Sequence, residues 1–262
     1  MKFSFGSGSF KDDIKALFSS DSSPTRASPQ SAADFAARRG TMDDLQILAQ
    51  YDTIFVVDDS GSMQGARWST AREALKELVH LAKDWDSNGI DIHFLNNPSK
   101  GLGIKTQAEV EALFARVAPE GWTPTGETLN SLITSYIESL PSDPRAPNAA
   151  VVKPRNYIVI TDGEATDSDD MRLKPVILKL MKMLDKRKAP LNQLGIQFVQ
   201  VGNDEGARAF LEKLDDQISG SKTRDIVDTF PYDKLNGDIG AEHLVKMLLG
   251  SITKRIDNYN KL

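Results

Sequence analysis

Two short apolar runs in this chain each end on an aspartate, and that pairing restricts the fold more than any other feature. Thr53-Ile54-Phe55-Val56-Val57 leads into Asp58-Asp59-Ser60-Gly61-Ser62, and Tyr157-Ile158-Val159-Ile160-Thr161 leads into Asp162-Gly163-Glu164. Runs that are apolar or β-branched at every position, rather than at alternate ones, belong to strands covered on both faces. Helical patterns follow such runs. In Trp68–Trp85, Ala71, Leu75, Leu78, Val79 and Ala82 share one helical face, and in Glu127–Leu140, Leu129, Leu132, Ile133, Tyr136, Ile137 and Leu140 form one stripe. Further strands are expected at Ile90–Leu95, Leu102–Lys105, Gly195–Val201 and, at an edge, Asp225–Phe230. Helices are expected at Glu109–Val117, Met171–Arg187, Ala207–Leu214 and Ala241–Tyr259. This alternation predicts an α/β fold, a doubly wound, mostly parallel sheet with helices on both sides.

Composition sets the boundaries. Residues 1–48 form an extension rich in Ser, Gly and Pro, with too little apolar surface to repay ordering. It is expected to be flexible and open to phosphorylation, with one short amphipathic helix around Phe10, Ile14, Leu17 and Phe18. Residues 49–262 are expected to form one folded domain. A net charge of −5 argues against general affinity for nucleic acid or anionic membrane. The cysteine count is zero, which removes disulfides, thiolate catalysis and sulfur-held metals, and favours a cytoplasmic setting. No apolar run approaches the roughly 20 residues that span a bilayer. The N-terminal segment lacks a signal peptide's apolar stretch, so secretion is not expected.

In open α/β sheets, ligands bind beyond the carboxyl ends of the strands, where strand order reverses. For a strand order of 3-2-1-4-5-6, the strands carrying Asp58 and Asp162 are neighbours at that reversal. Two bare carboxylates about 4 Å apart repel by roughly 4 kcal/mol at an effective dielectric of 20. Either one acid keeps a proton or a cation sits between them. The surrounding residue types favour the cation. Ser60 and Ser62 alternate with Asp58, so their hydroxyls can converge with its carboxylate, and Gly61 allows a tight approach. Thr123 and Thr125, in Gly121-Trp122-Thr123-Pro124-Thr125-Gly126, can add a further hydroxyl just before a long helix. Such an oxygen set suits Mg²⁺ or Mn²⁺, and the absence of His and Cys from it argues against zinc.

Together, Asp58-x-Ser60-x-Ser62, the Thr123-Pro124-Thr125-Gly126 segment and Thr161-Asp162-Gly163 resemble a von Willebrand factor type A domain with a metal-ion-dependent adhesion site. The resemblance covers about residues 50–255. It implies a three-layer, Rossmann-like sandwich with six strands, mostly parallel, and a short antiparallel edge strand matching Leu102–Lys105. It also implies that Ser60, Ser62 and Thr123 bind the metal through their hydroxyls, with Asp58 and Asp162 binding directly or through water and Thr125 in reserve for Thr123. The implied function is non-enzymatic: the metal accepts an Asp or Glu carboxylate from a partner protein. Where the family often reads Gly-Gly-Thr, this chain has Trp122 in the second place, which alters the ligand surface. Asp59, Trp122, Thr125 and Glu164 are expected at the partner-binding rim, and Asp59, Glu164, Asp167, Asp169 and Asp170 are expected to make it negative. A partner acid in a basic or neutral surround suits that field.

Two other classes compete. A haloacid-dehalogenase-like phosphatase also uses an aspartate and Mg²⁺ at a strand end, but it needs a second acid two residues on, where this chain has Ser60. A scaffold with an idle metal site is the third reading. His80, His93 and His243 show no paired spacing, and Trp68 and Trp85 are expected to serve packing.

Overall fold

The computed structural model describes residues 47–82, 86–144, 146–219, 224–230 and 247–252. Six strands form one sheet: β1 (Asp52–Val57), β2 (Ile90–Phe94), β3 (Lys100–Ile104), β4 (Arg155–Thr161), β5 (Leu194–Gln200) and β6 (Val227–Phe230). Their order is β3-β2-β1-β4-β5-β6. All neighbours run parallel except β2 and β3, which pair antiparallel. Only that pair can be joined by a short loop, because every parallel pair needs a crossover. The crossovers are the helices α1 (Ala66–Ala82), α2 (Gln107–Phe114), α3 (Thr125–Ser139), α4 (Leu173–Lys186) and α5 (Glu205–Ser219).

Alternation along the central strands divides the core into two layers. Phe55, Val57, Ile158 and Ile160 face Leu75 and Leu78 of α1 and Leu113 of α2, together with Leu248 and Ile252 from the helical residues 247–252. Ile54, Val56, Tyr157 and Val159 face Leu129 and Ile133 of α3, Ile177 and Leu180 of α4, and Leu211 of α5. Each fully buried aliphatic side chain contributes about 1.5–3 kcal/mol relative to an exposed one. Trp68 packs at 4.5 Å from the Phe114 ring and 5.8 Å from the Phe94 ring, the packing role expected of it. Asn156 of β4 donates to the Leu248 carbonyl at 2.7 Å and accepts from Ser251 Oγ at 2.7 Å, a buried polar tie between sheet and helix.

The expected α/β class, the six strands and the single antiparallel edge are all present. Boundaries differ in places. The edge strand lies at Lys100–Ile104 rather than Leu102–Lys105, and α3 starts at Thr125, two residues early. α5 gains a turn at its C-terminal end, where Ile218 is buried, and β6 is shorter than Asp225–Phe230. The extension is described only from Ile47 onward, where Ile47–Gln50 forms a 3-10 turn with Leu48 buried. The expected amphipathic helix around Phe10, and Trp85 and His243, lie outside the described residues, as does most of Ala241–Tyr259. No helix among the described residues is long and apolar enough to cross a membrane.

Candidate metal-binding site

The connection after β1 passes to α1 on one face of the sheet, and the connection after β4 passes to α4 on the other. The loops therefore part above β1 and β4, leaving a crevice at their carboxyl ends. Asp58 and Asp162, the first residues beyond these strands, are 0% and 2% exposed.

Asp58 is held from two directions. Its Oδ1 accepts the Ser60 backbone N–H at 2.9 Å, which tightens the Asp-x-Ser turn. Its Oδ2 accepts the Thr161 hydroxyl at 2.7 Å, across the β1–β4 seam. Burial raises the Asp58 pKa above the ordinary carboxylate range; the Thr161 and Ser60 hydrogen bonds oppose that shift, and the charge of Asp162 adds to it. A cation in the crevice would relieve both the burial penalty and the repulsion. Ser60 Oγ lies 3.0 Å from Ser62 Oγ, and Ser62 Oγ donates to Asp162 Oδ1 at 2.8 Å. Side-chain oxygens from two chain segments a hundred residues apart are thus linked in one series.

The third loop is fastened alongside. Gly61 N–H donates to the Gly121 carbonyl at 3.2 Å, and Glu120 N–H to the Asp59 carbonyl at 2.7 Å. Thr123 and Thr166 hold each other: Thr123 N–H donates to Thr166 Oγ1 at 2.8 Å, and Thr166 N–H to the Thr123 carbonyl at 3.0 Å. Asp167 then caps α3 from a distance, accepting the Gly126 and Glu127 N–H groups at 2.9 and 3.0 Å. A carboxylate placed there satisfies orphan donors and complements the helix dipole. Gly126 is required by this junction, since a Cβ on it would collide with the Met171 carbonyl.

Of the four expected rim residues, Asp59 and Thr125 are buried and Trp122 and Glu164 are exposed. Asp59 is 1% exposed, and its carboxylate accepts the Asn96 and Asn97 N–H groups at 2.8 and 2.9 Å. It faces inward because two backbone donors of the β2–β3 loop need an acceptor, and it anchors that loop. Thr125 is also buried, as the first residue of α3. Trp122 is 77% exposed, with its carbonyl fixed by Asn96 Nδ2 at 2.8 Å, and Glu164 is exposed. Asp59 and Asp167 are turned onto backbone donors of neighbouring loops, and Asp169 is offset by Arg172 at 2.5 Å.

Four structural roles here were not read from sequence: Thr161 as the donor to Asp58, Thr166, Asp167 as a cap, and Arg67, whose Nη1 lies 2.5 Å from Asp162 Oδ2. Among the described residues, no three His, Cys, Asp or Glu side chains group as a metal site. The donor set here is two carboxylates with serine hydroxyls, a set that suits a hard cation better than zinc.

A doubly wound sheet with this loop cluster at its switch point defines a class of α/β binding domains. A family model of the von Willebrand factor type A domain matches residues 52–231, and the chain belongs to that family, whose domains are generally non-enzymatic protein-interaction modules. Among solved structures, the chain is similar to the SpRpn10 VWA domain, at 10% identity and a TM-score of 0.45, over 76% of this chain and 93% of that one. It is also similar to the PilB minor pilin from Streptococcus sanguinis, at 12% identity and a TM-score of 0.45, over 80% of this chain and 62% of that one. No curated protein matches the sequence.

Proposed function

We propose that the domain is a metal-dependent protein-binding module in which Asp58, Ser60, Ser62, Thr123 and Asp162 hold Mg²⁺, or Mn²⁺, for an acidic residue of a partner. The observation that carries this reading is the oxygen series from Ser60 Oγ through Ser62 Oγ to Asp162 Oδ1, next to a buried Asp58. When bound, the ion supplies a Lewis-acidic position for a partner's Asp or Glu carboxylate. The protein's own groups do the rest. Thr161 orients Asp58, the Thr166 and Asp167 bonds fix the Thr123 loop, and Trp122 and Glu164 form the exposed rim.

An exposed Trp beside a charged centre supplies the large, rigid contact area typical of interface hot spots. The partner carries one acid in a neutral or basic surround, because Glu164 repels a broadly acidic face. The absence of Cys fits a cytoplasmic setting. A pull-down with the full chain, run in Mg²⁺ and in EDTA, tests the reading. Partner recovery is expected in Mg²⁺ alone; recovery unaffected by EDTA contradicts it. Turnover of a phosphoester would move the site to the phosphatase class.

A further inference from the structure

Asp162 already has a cation. Arg67, in the first turn of α1, donates from Nη1 to Asp162 Oδ2 at 2.5 Å and to the Ser62 carbonyl at 3.2 Å. The opposite oxygen of the same carboxylate, Oδ1, is the one that takes the Ser62 hydroxyl. Asp162 is therefore partnered on both oxygens, one by a full positive charge, and its side chain is 1% exposed where that of Arg67 is 38%.

The guanidinium has a built seat. Gly202, just past β5, has φ of +86°, and a Cβ there would lie 3.1 Å from Arg67 Nε. Glycine at this position both adopts the left-handed turn and leaves room for the arginine. Val201 N–H donates to the Thr161 carbonyl at 2.8 Å, so the seat is tied to the strand end that carries Asp162. Arginine here also works against its local field, because the positive end of a helix dipole disfavours cations in the first turn. An ion pair with a buried acid offsets that disadvantage.

We infer that Arg67 is a resident counter-ion of the site, which neutralises Asp162 without metal and competes electrostatically with a divalent cation. This rests on the metal-binding reading above. Two consequences follow from charge alone. Without metal, Arg67 offsets the repulsion between Asp58 and Asp162 and holds the Asp162 rotamer, so the domain stays folded. With metal, the guanidinium repels the incoming dication and lowers its affinity, so binding is weaker than the oxygen set alone would give.

The test uses the full chain with MgCl₂ as the probe, in calorimetric titration and in thermal melts with EDTA. Arg67→Met and Arg67→Gln remove the charge, and Arg67→Lys retains it. Neutral variants that fold are expected to bind Mg²⁺ about fivefold or more tightly than the parent, since a like charge has been removed from beside the ion. They are also expected to melt lower in EDTA and to gain more from Mg²⁺, while Arg67→Lys stays near the parent. Equal or weaker Mg²⁺ binding by both neutral variants, with the parent binding, overturns the inference and leaves the metal reading intact. Tightening by Arg67→Lys equal to that of Arg67→Met also overturns it. No binding by any of the four proteins overturns the metal reading itself, and the inference with it.

Discussion

The Thr161 hydroxyl donates to Asp58 Oδ2 at 2.7 Å, joining the last residue of β4 to the first residue beyond β1. Both side chains are buried, and the bond is charge-assisted. Thr161→Val keeps the shape and removes the donor. Leaving a buried carboxylate oxygen without this partner is expected to cost about 1–3 kcal/mol, read as a lower urea midpoint at unchanged slope.

Asp167→Ala removes the acceptor for the second and third N–H groups of α3, those of Gly126 and Glu127, without touching any proposed metal ligand. Loss of a helix cap costs about 0.5–2 kcal/mol. Urea denaturation measures that cost. Mg²⁺ affinity is expected to fall as well, because Thr123 lies in the loop that the cap holds.

Trp122→Ala separates folding from recognition. A side chain 77% exposed contributes little to the core, so stability is expected to change by no more than about 0.5 kcal/mol. Partner recovery in the Mg²⁺ pull-down is expected to fall sharply, as for a hot-spot aromatic costing about 2 kcal/mol or more. Unchanged recovery would remove Trp122 from the interface.

Alkaline pH offers a test of the core away from the site. Burial moves the Tyr136 hydroxyl from 10.0 to about 12, although the Gln193 bond pulls it down. The folded-state value lies above the ordinary one, so this contribution to stability is complete below pH 10 and is lost as pH rises towards 12. Tyr136→Phe should flatten that slope in urea titrations between these limits. It should also cost about 1 kcal/mol at neutral pH, because the hydroxyl donates to the Lys153 carbonyl and accepts from Gln193 Nε2.

The central strands were readable because each is a continuous apolar run, and the register of β1 on β4 follows once they are neighbours. The edge strand was less so. Gly101 and Gly103 interrupt its pattern, and its pairing with β2 carries a shift between Ile90 and Ile92. The start of α5 at Glu205, two residues ahead of the expected Ala207, was missed because it is set by Asp204, which accepts the Ala207 N–H at 2.8 Å. At the site, Asp58, Ser60, Ser62 and Asp162 stand out because they lie at strand ends. Their supports do not: Arg67 reaches Asp162 across 95 positions, and Asp167 reaches α3 across about forty. Asp59 misleads for the same reason, since only the fold reveals the Asn96 and Asn97 donors that turn it inward.

The most direct test is calorimetric titration of Mg²⁺ into the full chain and into Asp58→Asn. The substitution keeps an acceptor for the Ser60 N–H while removing the charge. The account predicts one binding event per chain in the parent, none in the variant, and the same far-ultraviolet circular dichroism for both. Equal Mg²⁺ binding by both proteins, or none by the parent, would contradict it.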